Sequence, residues 1–186
     1  MRSEGSAGTT PAPKGAVHTT PSPTSTAGYQ KVDAVKLVKD APKIGPDVKK
    51  SLAEPCAADE YPVEVTYAPL TGRKTPDVIV NVMTCADSVG IGAYVFRRRE
   101  GAPDGYDTVY SNEQPSVYAG VNKGRLEVSE QTYAAGDKVC CPSGEDVTTY
   151  QWADGRFSRR GRPYHTDYST TTDDGATPDD GKGTEG

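Results

Sequence analysis

The stretch "DVIVNVMTC" (residues 77–85) decides the fold class, because it is short, rich in β-branched residues and flanked by turn chemistry. From Tyr61 onward the chain repeats this grammar with a period of two. The runs "VEVTYAPL", "DVIVNVMTC", "GAYVFRRR", "YDTVYS", "SVYAGV", "RLEVSEQTY", "DVTTYQW" and "RFSRR" are rich in Val, Tyr, Thr and Phe. Turn residues separate them: Thr71-Gly72, Gly101 with Asp104-Gly105, Lys123-Gly124, Ser143-Gly144 and Asp154-Gly155. Asp154-Gly155, between Trp152 and Phe157, is the clearest tight-hairpin signal. Seven or eight short strands at this spacing predict a mainly antiparallel sheet, with no internal repeat.

Two helices precede the strands. "VDAVKLVKDA" gathers Val32, Val35, Leu37 and Val38 near one face, opens with Asp33 as an N-cap and stops before Pro42. "GPDVKKSLAE" has Pro46 in a first helical turn and Pro55 as its end. The fold class expected is therefore α+β: a mainly antiparallel β-sheet with two short N-terminal helices packed against it, flanked by disordered tails.

Composition separates three regions. Residues 5–28 hold Thr, Ser, Pro, Ala and Gly around a single Val. Such a segment buries too little apolar surface to offset the entropy of ordering, so residues 1–28 are expected to be a disordered, locally polyproline-like tether. It spans roughly 75 Å when stretched and roughly 30 Å as a coil. Residues 166–186 carry six acids against Lys182 and are expected to be a disordered acidic tail. Residues 29–165 form the single domain. Of the formal net charge of −5, the acidic tail supplies −5 and residues 1–30 supply +1, which leaves −1 for residues 31–165. The folded part is nearly neutral and gives no warrant for binding nucleic acid or an anionic membrane.

No run of about 18 apolar residues is long enough to span a bilayer, and no signal-peptide core follows Met1. The four cysteines and the Thr/Pro-rich N-terminus point nonetheless to an exported protein. The export segment, and a lipid-bearing cysteine, are expected to precede this chain.

The cysteines are Cys56, Cys85, Cys140 and Cys141. A thioredoxin-like site needs Cys-x-x-Cys at a helix start, where the dipole lowers a thiol pKa. Here two cysteines touch, follow a β-like run and precede Pro142. A structural zinc site wants paired ligands with short spacers, whereas Cys56 and Cys85 lie 29 residues apart with no histidine near either. A bond between Cys140 and Cys141 would close an eight-membered ring and cross-link nothing distant. The reading left is two long-range disulfides, one from each member of the adjacent pair, reaching Cys85 and Cys56. Each would close a loop of roughly 55–85 residues, worth about 4 kcal/mol in the chain-entropy model. Such staples place the protein in an oxidising compartment.

No base stands beside a nucleophile, and Ser143 in "PSGED" reads as a turn residue. In "YAPLTGRKTPDVIV" the slots of a calcium loop hold Ala68, Leu70 and Arg73, which offer no carboxylate cage. Neither a metal nor a cofactor is expected. Two candidate binding features remain. "FRRRE" and "RFSRRGR" supply Arg97, Arg98, Arg99, Arg156, Arg159 and Arg160, one basic surface if their strands are neighbours. Such a surface suits an acidic patch on a partner or an anionic cell-wall polymer; otherwise these are solvated strand ends. Eleven tyrosines, Tyr94 and Tyr118 among them, either pack as half-buried rings or line a groove for peptide or sugar.

"CAADEYPVEVTYAPLTG…DVIVNVMTCADSVGIGAYVFR", "QPSVYAGVNKGRLEVSEQTYAAGD" and "PSGEDVTTYQWADGRF" together resemble the CseA lipoproteins of actinomycetes, over roughly residues 29–168. The ending "GDKVCCPSG…YQWADGRF" more loosely resembles LppP/LprE-type envelope lipoproteins. The resemblance implies export, lipid attachment just ahead of this chain, and residence on the outer face of the cytoplasmic membrane. It also implies association with a sigma-factor and sensor-kinase pair that responds to envelope stress, whose output the protein damps. The expected partner is thus the extracytoplasmic domain of a sensor kinase or another envelope protein, with the membrane engaged only through the lipid. No catalytic residues come with the family. A cell-wall glycan or peptide module is the alternative.

Overall fold

The computed structural model describes residues 31–138 and 140–168. The expected tether and the tail beyond Tyr168 lie outside the described residues. Helix α1 (Ala34–Asp40) is capped by Asp33, whose carboxylate accepts from the Lys36 amide at 2.9 Å. Helix α2 (Pro46–Ser51) starts on Pro46, carries Asp47 in its first turn and Lys49 and Lys50 in its last, the charge order that favours a helix dipole. It ends short of Pro55. Eight strands follow: β1 (Val63–Ala68), β2 (Asp77–Met83), β3 (Gly90–Arg98), β4 (Tyr106–Asn112), β5 (Val117–Asn122), β6 (Arg125–Thr132), β7 (Gly144–Ala153) and β8 (Arg156–Asp167). The β5–β6 and β7–β8 hairpins turn on Lys123-Gly124 and Asp154-Gly155. Both residues of each pair have positive φ, the two-residue turn that matches strand twist.

The fold class is the one expected, but the strands do not form one sheet. They divide into two four-stranded antiparallel sheets, ordered β1-β2-β3-β4 and β5-β6-β7-β8. The break lies between β4 and β5. There Pro115 has no amide to give a ladder, and Ser116 adopts φ 64°. Glu113 fixes the exit by accepting from the Gly45 amide at 2.9 Å and from the Tyr94 hydroxyl at 3.1 Å.

The first sheet is covered on both faces, which explains why β2 is buried over six successive residues. Alternate side chains serve opposite faces. Val78, Val80 and Val82, with Tyr94 and Phe96 of β3, meet Val38, Ile44, Val48 and Leu52 of the helical segment. Ile79, Ala93 and Val95 meet Val117, Ala119, Leu126 and Val128 of the second sheet. Each such fully buried side chain contributes roughly 1.5–3 kcal/mol.

A polar residue lies at the centre of that interior. Asn81, only 1% exposed, donates from Nδ2 to the Ala119 carbonyl and accepts at Oδ1 from the Ala119 amide, both at 2.8 Å. β5 is an edge strand, so Asn81 supplies its open side with the pairing that another strand would give. Gly90 marks the same approach. The Ser116 amide donates to its carbonyl at 2.8 Å, and a Cβ there would lie 1.8 Å from the Val117 carbonyl oxygen.

The cysteine pairing differs from the expectation. Cys56 is bonded to Cys85, with Cα atoms 5.4 Å apart, and Cys140 to its neighbour Cys141. The register gives the reason. β1 pairs antiparallel with β2, with Val63 opposite Val82. The chain entering β1 and the chain leaving β2 therefore meet at one end of the sheet, and Cys56 and Cys85 with them. Cys140 and Cys141 belong to the β6–β7 connection of the other sheet.

Two stability outcomes follow. Replacing Asn81 by Leu leaves the Ala119 amide and carbonyl buried without partners and is expected to cost about 2–4 kcal/mol in urea unfolding. Cys56→Ser opens a loop of 29 residues and is expected to cost about 3.5 kcal/mol in the chain-entropy model. The double variant Cys140→Ser/Cys141→Ser, which opens no long loop, should stay within about 0.5 kcal/mol of the parent.

Candidate binding surface

The arginines end β3. Register places the end of β3 beside the start of β2, with Val78 opposite Phe96, so the β1–β2 loop is carried to Arg97–Arg99. Arg73 of that loop donates from Nη1 to the Arg98 carbonyl at 3.0 Å and pairs through Nη2 with Glu100 at 2.9 Å. The result is a pocket of about 530 Å³ whose wall contains Arg73, Lys74, Arg97, Arg98 and Arg99 against the single carboxylate of Glu100.

Two of these guanidinium groups are held by aromatic rings. Arg97 lies 5.1 Å from the Trp152 ring centroid and Arg98 5.8 Å from that of Tyr106, a geometry that is electrostatically attractive. The Nε atoms of both are buried without a hydrogen-bond partner. Arg99 is paired with Asp107 at 2.8 Å, and that hydrogen bond holds the Asp107 carboxyl below its ordinary range. Asp77, at the start of β2, accepts from the Thr71 amide and hydroxyl at 2.7 and 2.9 Å and fixes the base of the loop. Burial pushes the Asp77 carboxyl up, against those hydrogen bonds and nearby Arg97.

A larger cleft of about 680 Å³ adjoins this pocket and runs between α1 and the β3–β4 hairpin. Leu37 and Tyr106 give it apolar surface, and its rim alternates cations such as Lys36 and Lys43 with Asp40 and Asp107. Arg98, Arg99 and Pro103 line both cavities.

The six predicted arginines do not meet as strand neighbours. β3 belongs to the first sheet, whereas Arg156, Arg159 and Arg160 are exposed on β8, an edge of the second. The two groups approach through Trp152, which carries Arg97 and pairs across strands with Phe157. Arg73 and Lys74 are the members that sequence reading missed. Their signal was the β2–β3 register, which a hairpin assignment could have supplied.

The tyrosines divide as well. Tyr94 is fully buried at 0% exposure, so it cannot face a ligand; its hydroxyl reaches Glu113 inside the fold. Tyr118 is 39% exposed, with its hydroxyl on the Glu64 carboxylate of β1. Ser143 closes the β6–β7 loop by donating to Asp137 at 2.6 Å, and His165 pairs with Asp146 at 2.7 Å. Among the described residues, no group of three or more His, Cys, Asp or Glu is placed to hold a metal ion.

The CseA lipoprotein of Streptomyces avermitilis is 48% identical over 179 residues, covering 95% of this chain and 79% of that protein. The chain belongs to the CseA lipoprotein family. The CseA lipoprotein of Streptomyces coelicolor is 49% identical over 148 residues, or 80% of this chain and 64% of that protein. No family model matches, and no solved structure matches.

Titration of the tyrosines offers a check on this packing. Burial, followed by Glu64, pushes the Tyr118 hydroxyl up to about 12. Burial likewise raises Tyr94 and Tyr110 well above the usual tyrosine value. Between the ordinary value near 10 and these raised values, the unfolded chain releases protons that the folded chain keeps. Stability is therefore fully present below pH ~10 and is expected to fall as pH rises toward about 12, read as a declining urea midpoint. Glu64→Gln should lower the Tyr118 value while leaving it above 10, because burial is the larger cause.

Proposed function

We propose that this domain is a non-enzymatic, lipid-anchored extracytoplasmic accessory. In this reading it binds the external part of an envelope-stress sensor kinase and damps its output through protein–protein contact. The observation that carries the reading is the cleft between α1 and the β3–β4 hairpin. It is open, of ligand-site size, with apolar surface for burial and alternating charge at its rim to fix the orientation of a partner. Membership in a family of named lipoproteins supports the anchor, and the disulfides suit an oxidising compartment. Regulation then needs no chemistry. A domain that binds one signalling state of the kinase more tightly shifts the population toward it by the ratio of the two affinities.

A second reading, binding of cell-wall glycan or peptide, is favoured by exposed rings such as Tyr118 and Tyr164. Titration calorimetry with the purified extracytoplasmic domain of the sensor kinase separates the two. The expected result is saturable binding in the micromolar range, weakened at least tenfold by Leu37→Asp in the cleft. No association at high micromolar concentration, together with sedimentation on purified peptidoglycan, would replace the first reading by the second.

A further inference from the structure

The cationic pocket is a different feature from the cleft, and its charge calls for a ligand of its own. Five cations face one carboxylate on a domain whose overall charge is close to zero. Arg73 and Arg99 are partly neutralised by Glu100 and Asp107. Lys74, Arg97 and Arg98 have no ion pair within 4 Å among the described residues. The rings of Trp152 and Tyr106 fix two of the guanidinium groups in place, so little side-chain entropy remains to be lost on binding. Their Nε atoms are buried donors without acceptors, and a buried donor left unpaired is costly. These two atoms lie on opposite faces of β3, so the case for an oxyanion rests instead on the excess of cations in the pocket wall.

Position selects the source of that oxyanion. Lys31, the first described residue, lines the same cleft as Arg98, Arg99 and Pro103, which also line the cationic pocket. Lys31 and the cationic pocket therefore border the same cleft. If the anchor lies at the N-terminus, as proposed above, the pocket is kept near a bilayer surface. We infer that the Arg73/Lys74/Arg97/Arg98/Arg99 pocket binds the phosphate headgroup of an anionic phospholipid, a second membrane contact beyond the lipid anchor. The near-neutral total conceals this site because it sums the five cations with acids across the whole domain.

Cosedimentation of the unlipidated full chain with vesicles tests the pocket. Phosphatidylcholine vesicles containing about 30% phosphatidylglycerol should retain the protein and pure phosphatidylcholine vesicles should not, with retention falling as salt is raised. Each cation near an anionic surface accounts for about a fivefold change in partitioning. Lys74→Gln, an exposed position, should weaken retention about fivefold, and Arg73→Gln/Lys74→Gln about 25-fold. Arg159→Gln/Arg160→Gln on β8 should leave it unchanged, and thermal melts confirm that each variant is folded. Equal loss in both double variants, or no retention on the anionic vesicles, overturns the proposal. Saturable binding of inorganic phosphate by calorimetry with no retention on the anionic vesicles also overturns it, by assigning the pocket to free phosphate. Anchoring itself is read separately, from whether cells hold the full-length precursor in the membrane fraction, so the two failures can be told apart.

Discussion

The Asn81 side chain is the constraint on which the two-sheet arrangement depends. A carboxamide buried at 1% exposure among valines and isoleucine is unfavourable unless its donor and acceptor are both met. Here both are met by one residue, Ala119. The contact sets position as well as energy: a slip of β5 by one residue would turn its open amide and carbonyl away from Asn81. Apolar contacts between the sheets tolerate small sliding, whereas a two-point hydrogen bond to a single backbone residue does not. Gly90 works to the same end, since a side chain at that position would hold β5 away from the start of β3.

The local elements were legible because their signals are local. Asp33 as a cap, Pro46 as a first-turn residue and Asp154-Gly155 as a tight turn each act within a few residues, and the structure uses all three in those roles. The division into two sheets was not legible, because a period of two says which residues share a face and nothing about which sheet a strand joins. The same gap explains the tyrosines. Tyr94 and Tyr118 both lie in strands of alternating pattern, but Tyr94 faces the helices across a filled core while Tyr118 lies on an edge strand. Asn81 looks like any polar residue until a backbone edge is found opposite it.

The cysteine pairing shows how a sound elimination can start from a mistaken premise. Thioredoxin-like and zinc geometries were absent, but it did not follow that each adjacent cysteine must reach a remote partner. The antiparallel β1–β2 pairing already carries residues before β1 and residues after β2 to the same end of the sheet, which places Cys56 beside Cys85. Topology, rather than the number of residues between cysteines, decided the bond. The same rule recovers the basic pocket, because residues just before β2 must lie beside residues at the end of β3.

Charge placement gives the fold a direction that composition hides. The cations of the pocket come from the β1–β2 loop and the end of β3, which antiparallel pairing forces together. A domain held to a membrane at its N-terminus alone, as proposed, is free to rotate. A headgroup contact through fixed arginines would remove much of that rotation. The adjoining cleft would then present one orientation to whatever protein shares the membrane. For a domain that acts by binding, such restriction matters as much as affinity: holding two sites in reach of one another raises their effective concentration only when the geometry lets both be occupied. Because the cleft and the pocket share Arg98, Arg99 and Pro103, a partner seated in one would touch side chains that the lipid orders in the other. Two ligands that draw on the same ordered residues need not bind independently.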